Sequence, residues 1–239
     1  MPSALRAMPQ QKDKAVTASF ETPVGSIEGE KHSAAEAAYR RLRDLIVGGV
    51  LRPGQILNEQ EIVEQLNIGR TPVREAMQRL AGQHMLTIFP RRGIAVAKLG
   101  LADIQAIFEG REALESQLAA FAAVRRSESD LNLVLKLGEQ VRHSAEAEDS
   151  HAFLRLDQQL HRTIAESARS RFMAESAAHL LLLSDWVWHQ YFLLRGSHPN
   201  DYFDHSQIIR AITVRDPDAA FSAMRRHIQD SRDLVRSAV

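Results

Sequence analysis

Cysteine is absent from all 239 residues. That excludes a disulfide-stapled secreted scaffold, a Cys-ligated zinc finger and a thiol nucleophile. It fits a reducing compartment, and a cytoplasmic protein is expected. Long apolar runs are lacking too. The run from Leu180 to Leu183 is closed by Ser184 and Asp185, far short of the roughly 20 residues that span a bilayer, so no membrane partner is expected. The N-terminus has no apolar stretch of signal-peptide type. Nor is one charge sign in excess: 30 Lys and Arg stand against 30 Asp and Glu. What remains is 44% hydrophobic and 25% charged, the make-up of an ordinary globular protein large enough for one large domain or two modest ones.

The balanced charge hides an asymmetry. Residues 33–98 hold ten basic and six acidic side chains, a net +4, and residues 99–239 carry a compensating −4. A basic N-terminal part joined to an acidic C-terminal part is expected when one half meets phosphate and the other does not. Residues 1–32 mix Pro2, Pro9, Pro23, Gly25 and Gly29 with scattered charges. They lack periodicity and read as a disordered tail.

Residues 33–98 read as three helices and a hairpin. Ser33 with Glu36 three residues on forms a capping box. Leu42, Leu45, Ile46 and Val50 give the first helix its apolar face. Gly48-Gly49 ends it, and Arg52-Pro53-Gly54 turns the chain. A short helix carries Ile62, Val63 and Leu66. A third opens at Arg70-Thr71-Pro72, with Thr71 able to cap it and Pro72 suited to its first turn; Val73, Ala76, Met77 and Leu80 are its buried stripe. Extended runs Met85–Phe89 and Ile94–Ala97 flank Pro90-Arg91-Arg92-Gly93, a hairpin tip. The plan is a winged helix-turn-helix, the DNA-binding domain of a mainly α protein.

That plan assigns roles. The third helix would present its N-terminal residues to the major groove. Arg70 and Arg74 share a face, and an arginine fork can bond both guanine O6 and N7. Thr71 can bond a phosphate or a base. Arg91 and Arg92 sit at a wing tip able to reach the minor groove or the backbone, and Gly93 lets the chain turn there. Singly, such arginines are usually a solvated face; the arrangement as a whole points to double-stranded DNA.

These residues resemble the winged-helix domain of the GntR family of bacterial transcription regulators. The resemblance rests on Arg52-Pro53-Gly54, Leu57 to Glu61, Arg70-Thr71-Pro72-Val73-Arg74-Glu75-Ala76, Arg79-Leu80 and Pro90-Arg91-Arg92-Gly93. It implies operator contacts from Arg70, Thr71 and Arg74 and a wing around Gly93 in the minor groove. Gln60 departs from members that carry a DNA-contacting arginine there.

Residues 99–239 show no strand signal and read as an all-α antiparallel bundle of six helices, near 101–125, 127–147, 150–169, 171–195, 199–214 and 216–237. Asp216 caps the last, with Pro217 at its first position. On these helices Asp157 and His161 fall on the stripe of Phe153, Leu156, Leu160 and Ile164. His205 aligns with Ile209 and Ile212, and His227 lies between Met224 and Ile228. Four polar groups thus face an apolar interior, where each left unsatisfied costs about 1–3 kcal/mol. One divalent metal would satisfy all four. The donor set suits zinc first, with nickel, manganese or iron as alternatives. A lone core histidine is more often hydrogen-bonded than metal-bound; four such groups together favour the metal. Trp186, Trp188, Tyr191 and Phe192 read as bundle core, with stacking on a flat ligand the alternative.

This half resembles the FCD domain, the effector-binding half of the FadR subfamily. The matches are Asp103-Ile104, Arg111, Leu114-Glu115, Asp157 to His161, His205 with Ile208 and Ala211-Ile212, and Met224 to Ile228. The resemblance implies metal binding by Asp157, His161, His205 and His227. It also implies an effector-facing Arg111, which could grip a carboxylate; a salt bridge to Glu115 one turn away is the competing reading. Ala168-Arg169-Ser170 departs from a small-Gly-Asn turn.

The expected function is a ligand-responsive repressor that binds a short palindromic operator as a homodimer and senses a small organic acid, with an aromatic acid slightly favoured. A metal-dependent hydrolase or isomerase using the same four ligands is the alternative. It leaves the basic winged helix unexplained and has no evident partner acid or base. An architectural DNA binder would leave the histidine cluster without a purpose.

Overall fold

The computed structural model describes residues 33–91, 93–195 and 204–237. The expected tail, Arg92 and the start of the helix expected from 199 lie outside the described residues.

The N-terminal part is built from α1 (Ala34–Val47), β1 (Ile56–Leu57), α2 (Glu59–Leu66), α3 (Arg70–Gly82), β2 (Leu86–Phe89) and β3 (Gly93–Val96). Ser33 caps α1 by accepting from the Glu36 N–H at 3.2 Å. The expected capping box is only half formed, because the Glu36 carboxylate takes Arg40 at 3.0 Å and Arg79 at 2.6 Å. Helix α2 begins at Asn58, whose side chain accepts from Gln60 N–H, and ends in left-handed Asn67. Helix α3 starts two residues earlier than a Thr71 cap would place it. Gly69 is its N-cap, so Thr71 does not cap and stands free in the first turn. Leu42, Ile46, Val73, Met77, Leu80 and Met85 form the core of this part.

The sheet has order β1-β3-β2 and is antiparallel throughout. Strand β1 was not expected, since two residues are too few to show alternation and Leu57 read as part of the start of α2. It seats Ile56 opposite Ala95 and so ties the wing to the α1–α2 connection. The wing turns at Arg91 (φ 64°) and Gly93 (φ 104°).

Six helices follow: α4 (Leu101–Arg125), α5 (Glu128–Glu146), α6 (Ser150–Ser167), α7 (Arg171–Arg195), α8 (Ser206–Thr213) and α9 (Pro217–Arg236). Their starts are capped by Ser127, which forms a reciprocal box with Asp130, and by Asp149 and Asp216. Helix α4 is buried on most of its circumference and is the bundle's central helix. It packs against α9, α7, α6 and α8. Buried Arg126, just after α4, donates to the Ile212 and Thr213 carbonyls at 3.1 and 2.9 Å, which closes the C-terminal end of α8. Trp186, Trp188 and Tyr191 are buried, with Trp188 edge-on to Phe108. They are bundle core. No helix among the described residues is long and apolar enough to cross a membrane.

Candidate metal centre and nucleic-acid interface

Asp157 and His161 project one turn apart from α6. His205 is not inside a helix, as expected, but is the N-cap of α8. His227 comes from the buried face of α9. One ligand atom from each of the four lies within 4.8 Å of all the others. His161 Nε2 is 3.2 Å from His227 Nε2 and 3.3 Å from His205 Nε2. Asp157 Oδ1 is 2.9 Å from His205 Nε2 and 3.8 Å from His161 Nε2.

Hydrogen bonding alone does not account for this cluster. Ionised Glu115 can only accept, and its Oε2 lies 2.5 Å from His161 Nδ1. With Nδ1 donating to Glu115, the neutral tautomer of His161 is the one that turns an Nε2 lone pair to the centre. Burial holds His227 well below the ordinary histidine range, and His205 and His161 push it further, so it is a neutral donor. Asp157 Oδ1 is buried and makes no aligned hydrogen bond, despite its nearness to His205. Burial alone would raise the Asp157 pKa. The nearby imidazoles, His161 first and then His205, outweigh it and hold the carboxyl well below the usual range. Nitrogens about 2.0–2.1 Å from a tetrahedral zinc stand about 3.3 Å apart. The donors present thus fit a divalent cation in type, charge and spacing.

Behind His161 runs a buried chain. Arg111 Nε and Nη2 reach the Glu115 carboxylate at 2.6 and 3.4 Å, and Arg111 Nη1 donates to Ser184 Oγ at 2.7 Å. Burial raises the Glu115 pKa, but Arg111 and then His161 overcome it and lower it to about 2. Arg111 is only 3% exposed. The Glu115 salt bridge is therefore present, and three of Arg111's five N–H donors are committed. Glu115 itself is a member of the cluster that the sequence did not single out. Its bond to His161 joins residues 46 apart, and no helical period reports such a contact. Asp185 and His189, one turn apart on α7, stay outside the four-ligand cluster.

On the N-terminal part, Arg70 and Arg74 are more than half exposed at the start of α3. Glu59 takes Arg74 at 2.9 and 3.2 Å. Gln60 Oε1 accepts from Arg70 at 2.5 Å while its amide donates to Glu64. Gln60 thus holds Arg70 from the position where a DNA-contacting arginine was sought. Thr71 and Arg91 are exposed, and a Cβ at Gly93 would meet nothing.

Comparison with known proteins agrees with this architecture. Residues 34–96 match the model of the bacterial regulatory proteins of the gntR family, and residues 106–230 match the FCD domain. The chain is 30% identical over 200 residues to the HTH-type transcriptional repressor RspR of Escherichia coli, covering 83% of this chain and 87% of that one. It is 28% identical over 224 residues to the Uxu operon transcriptional regulator of the same species, covering 81% and 83%. The fold is similar to that of E. coli McbR/YncC, with a TM-score of 0.76 at 20% identity over 86% of this chain and 98% of that one. It is also similar to that of a putative GntR regulator from Rhodococcus sp. RHA1, with a TM-score of 0.71 at 21% identity over 87% and 100%. A transcription regulator rather than an enzyme is what these relatives describe, and the hydrolase alternative is not favoured. The chain belongs to the GntR family of DNA-binding transcription regulators and carries an FCD domain as its helical half, the combination found in the FadR subfamily.

Proposed function

We propose that this regulator is a cytoplasmic repressor that binds a short palindromic operator as a homodimer and is released by a small carboxylate held beside a divalent metal in the FCD domain. The reading rests above all on the buried donor set of Asp157, His161, His205 and His227, with Asp157 Oδ1 left without an aligned hydrogen bond. Zinc suits that set, with nickel, manganese or iron as alternatives. Repression is favoured by the similarity to RspR, itself a repressor.

In this account Arg70, Thr71 and Arg74 read the major groove, and Arg91, Arg92 and Gly93 carry the wing. The effector anion meets the metal and the two uncommitted N–H donors of Arg111. Two-fold symmetry would set two α3 helices on matching half-sites. Effector binding would favour a spacing of the DNA heads that no longer fits the operator.

The test is operator binding by the metal-loaded protein, titrated with aromatic acids, sugar acids, hydroxy acids and short dicarboxylates. At least one acid should weaken operator binding tenfold or more, and chelation or Arg111→Gln should blunt the effect. An acid that tightens operator binding would overturn derepression. Release that survives both chelation and Arg111→Gln would overturn the placement of the effector.

A further inference from the structure

The metal centre leaves a larger feature unused. A cleft of about 1290 Å3 runs between α1 and α3 on one side and α6 and α7 on the other. Seven arginines and five carboxylates line it. Five of the arginines are paired: Arg40 and Arg79 with Glu36, Arg43 with Asp44, Arg169 with Asp130 and Arg171 with Glu175. Arg155 and Arg162 have no ion pair or hydrogen bond among the described residues. They are seven apart on α6, so they lie on one face with about 10 Å of helix rise between them. Gln158 lies between them on the same stripe, its amide also without a partner. The remaining carboxylates, Glu166 and Asp185, leave both guanidiniums uncompensated. Val47, Ala178, Leu181 and Leu182 give the cleft apolar wall.

We propose that this cleft binds a small extended anion with two charged ends about 10 Å apart, held by Arg155, Gln158 and Arg162 of α6 and faced by Arg40 and Arg43 of α1. Arginine forks suit carboxylate or phosphate ends alike, and the apolar wall takes the body between them. A ligand seated there touches both the DNA-reading part and the helical bundle. It would fix the angle between them without any contact to the metal. The site uses none of the residues assigned to metal or operator, so it stands or falls apart from them.

The experiment is calorimetric titration of the full chain with two probes, sebacate for a carboxylate source and inorganic tripolyphosphate for a phosphate source. The native protein should bind at least one of them. Arg155→Gln with Arg162→Gln should weaken that binding tenfold or more, with fold and metal content unchanged. Arg70→Gln with Arg74→Gln, and separately His161→Ala, should leave it within twofold. Sebacate binding alone assigns carboxylate ends, and tripolyphosphate binding alone assigns phosphate ends. The proposal is overturned if neither probe binds, or if binding is lost with the α3 arginines or with His161 instead. It is also overturned if the Arg155, Arg162 pair weakens operator binding and lowers its salt dependence, because those arginines would then be meeting DNA phosphate.

Discussion

Glu115 decides the protonation of the histidine cluster from behind it. It accepts from His161 Nδ1 and is itself held by Arg111, the outer-shell arrangement that orients a metal-binding imidazole. Glu115→Gln keeps the shape but can offer its amide N–H to His161, which admits the wrong tautomer. Metal affinity should fall about 10- to 100-fold, read by competition with a chromophoric chelator; unchanged affinity would remove Glu115 from the centre. Asp185 on α7 is a different case. Burial, then the charge of Asp157, raises its pKa to about 7 against the opposing pull of Arg43. Its folded pKa exceeds its unfolded one, so folding disfavours its ionised form. Stability is intact below the ordinary carboxyl range, falls as pH rises from about 4 to about 7, and is level above. Asp185→Asn should therefore gain stability over the metal-free native chain across that window, by about 2–4 kcal/mol at pH 8. Urea unfolding midpoints from pH 4 to 8 check this. A gain that does not vary with pH would contradict it.

At the scale of elements, the site depends on how α8 is seated. Gly138 of α5 packs so closely that a Cβ there would overlap Ile209 Cδ1. Gly138→Ala is met by turning that terminal methyl aside, but the larger Gly138→Leu should push on α8, whose N-cap is His205, and cost about 1–3 kcal/mol by overpacking. Metal affinity should drop with it, and a thermal melt beside the chelator assay separates the two effects. If stability and affinity are both unchanged, α8 is not held by that contact. Helix α3 carries Arg70 and Arg74, both exposed. Arg74→Ala should cost about 1–3 kcal/mol of specific operator binding if it reads a base edge, measured as the ratio of specific to non-specific affinity. An equal loss on both kinds of DNA would make Arg74 a phosphate contact.

The elements also mark what the sequence could disclose. Helices α4 to α7 and α9 announce themselves through apolar period and through caps such as Ser127 and Asp216, and the wing through Pro90 and Gly93. Asp157, His161 and His227 are visible as polar residues on core faces of long helices. Strand β1 is too short to show alternation. The cap of α3 moved to Gly69 because Gly69 offers no side-chain signal. Glu36 left its capping box because Arg40 and Arg79, the latter 43 residues away, compete for the same carboxylate. The Glu115–His161 contact, the grip of Gln60 on Arg70 and the Arg155 stripe were not legible for a common reason: their meaning lies in partners, or in the lack of them, across the fold.

For the whole molecule, a divalent ion at Asp157, His161, His205 and His227 would be the centre around which the helical half is organised. A ligand that binds only the folded chain stabilises it by mass action, about 4 kcal/mol at a thousandfold excess over Kd. Chelation should therefore lower the melting temperature of a chain that carries the ion. The most direct measurement is elemental analysis of the full chain after loading with zinc and removal of excess, beside His205→Ala. Near one divalent ion per chain in the native protein, lost in the variant, is the expected result. A native chain that takes up no zinc, nickel, manganese or iron would contradict it. Asp157, His161, His205 and His227 would then be a polar core network and nothing more.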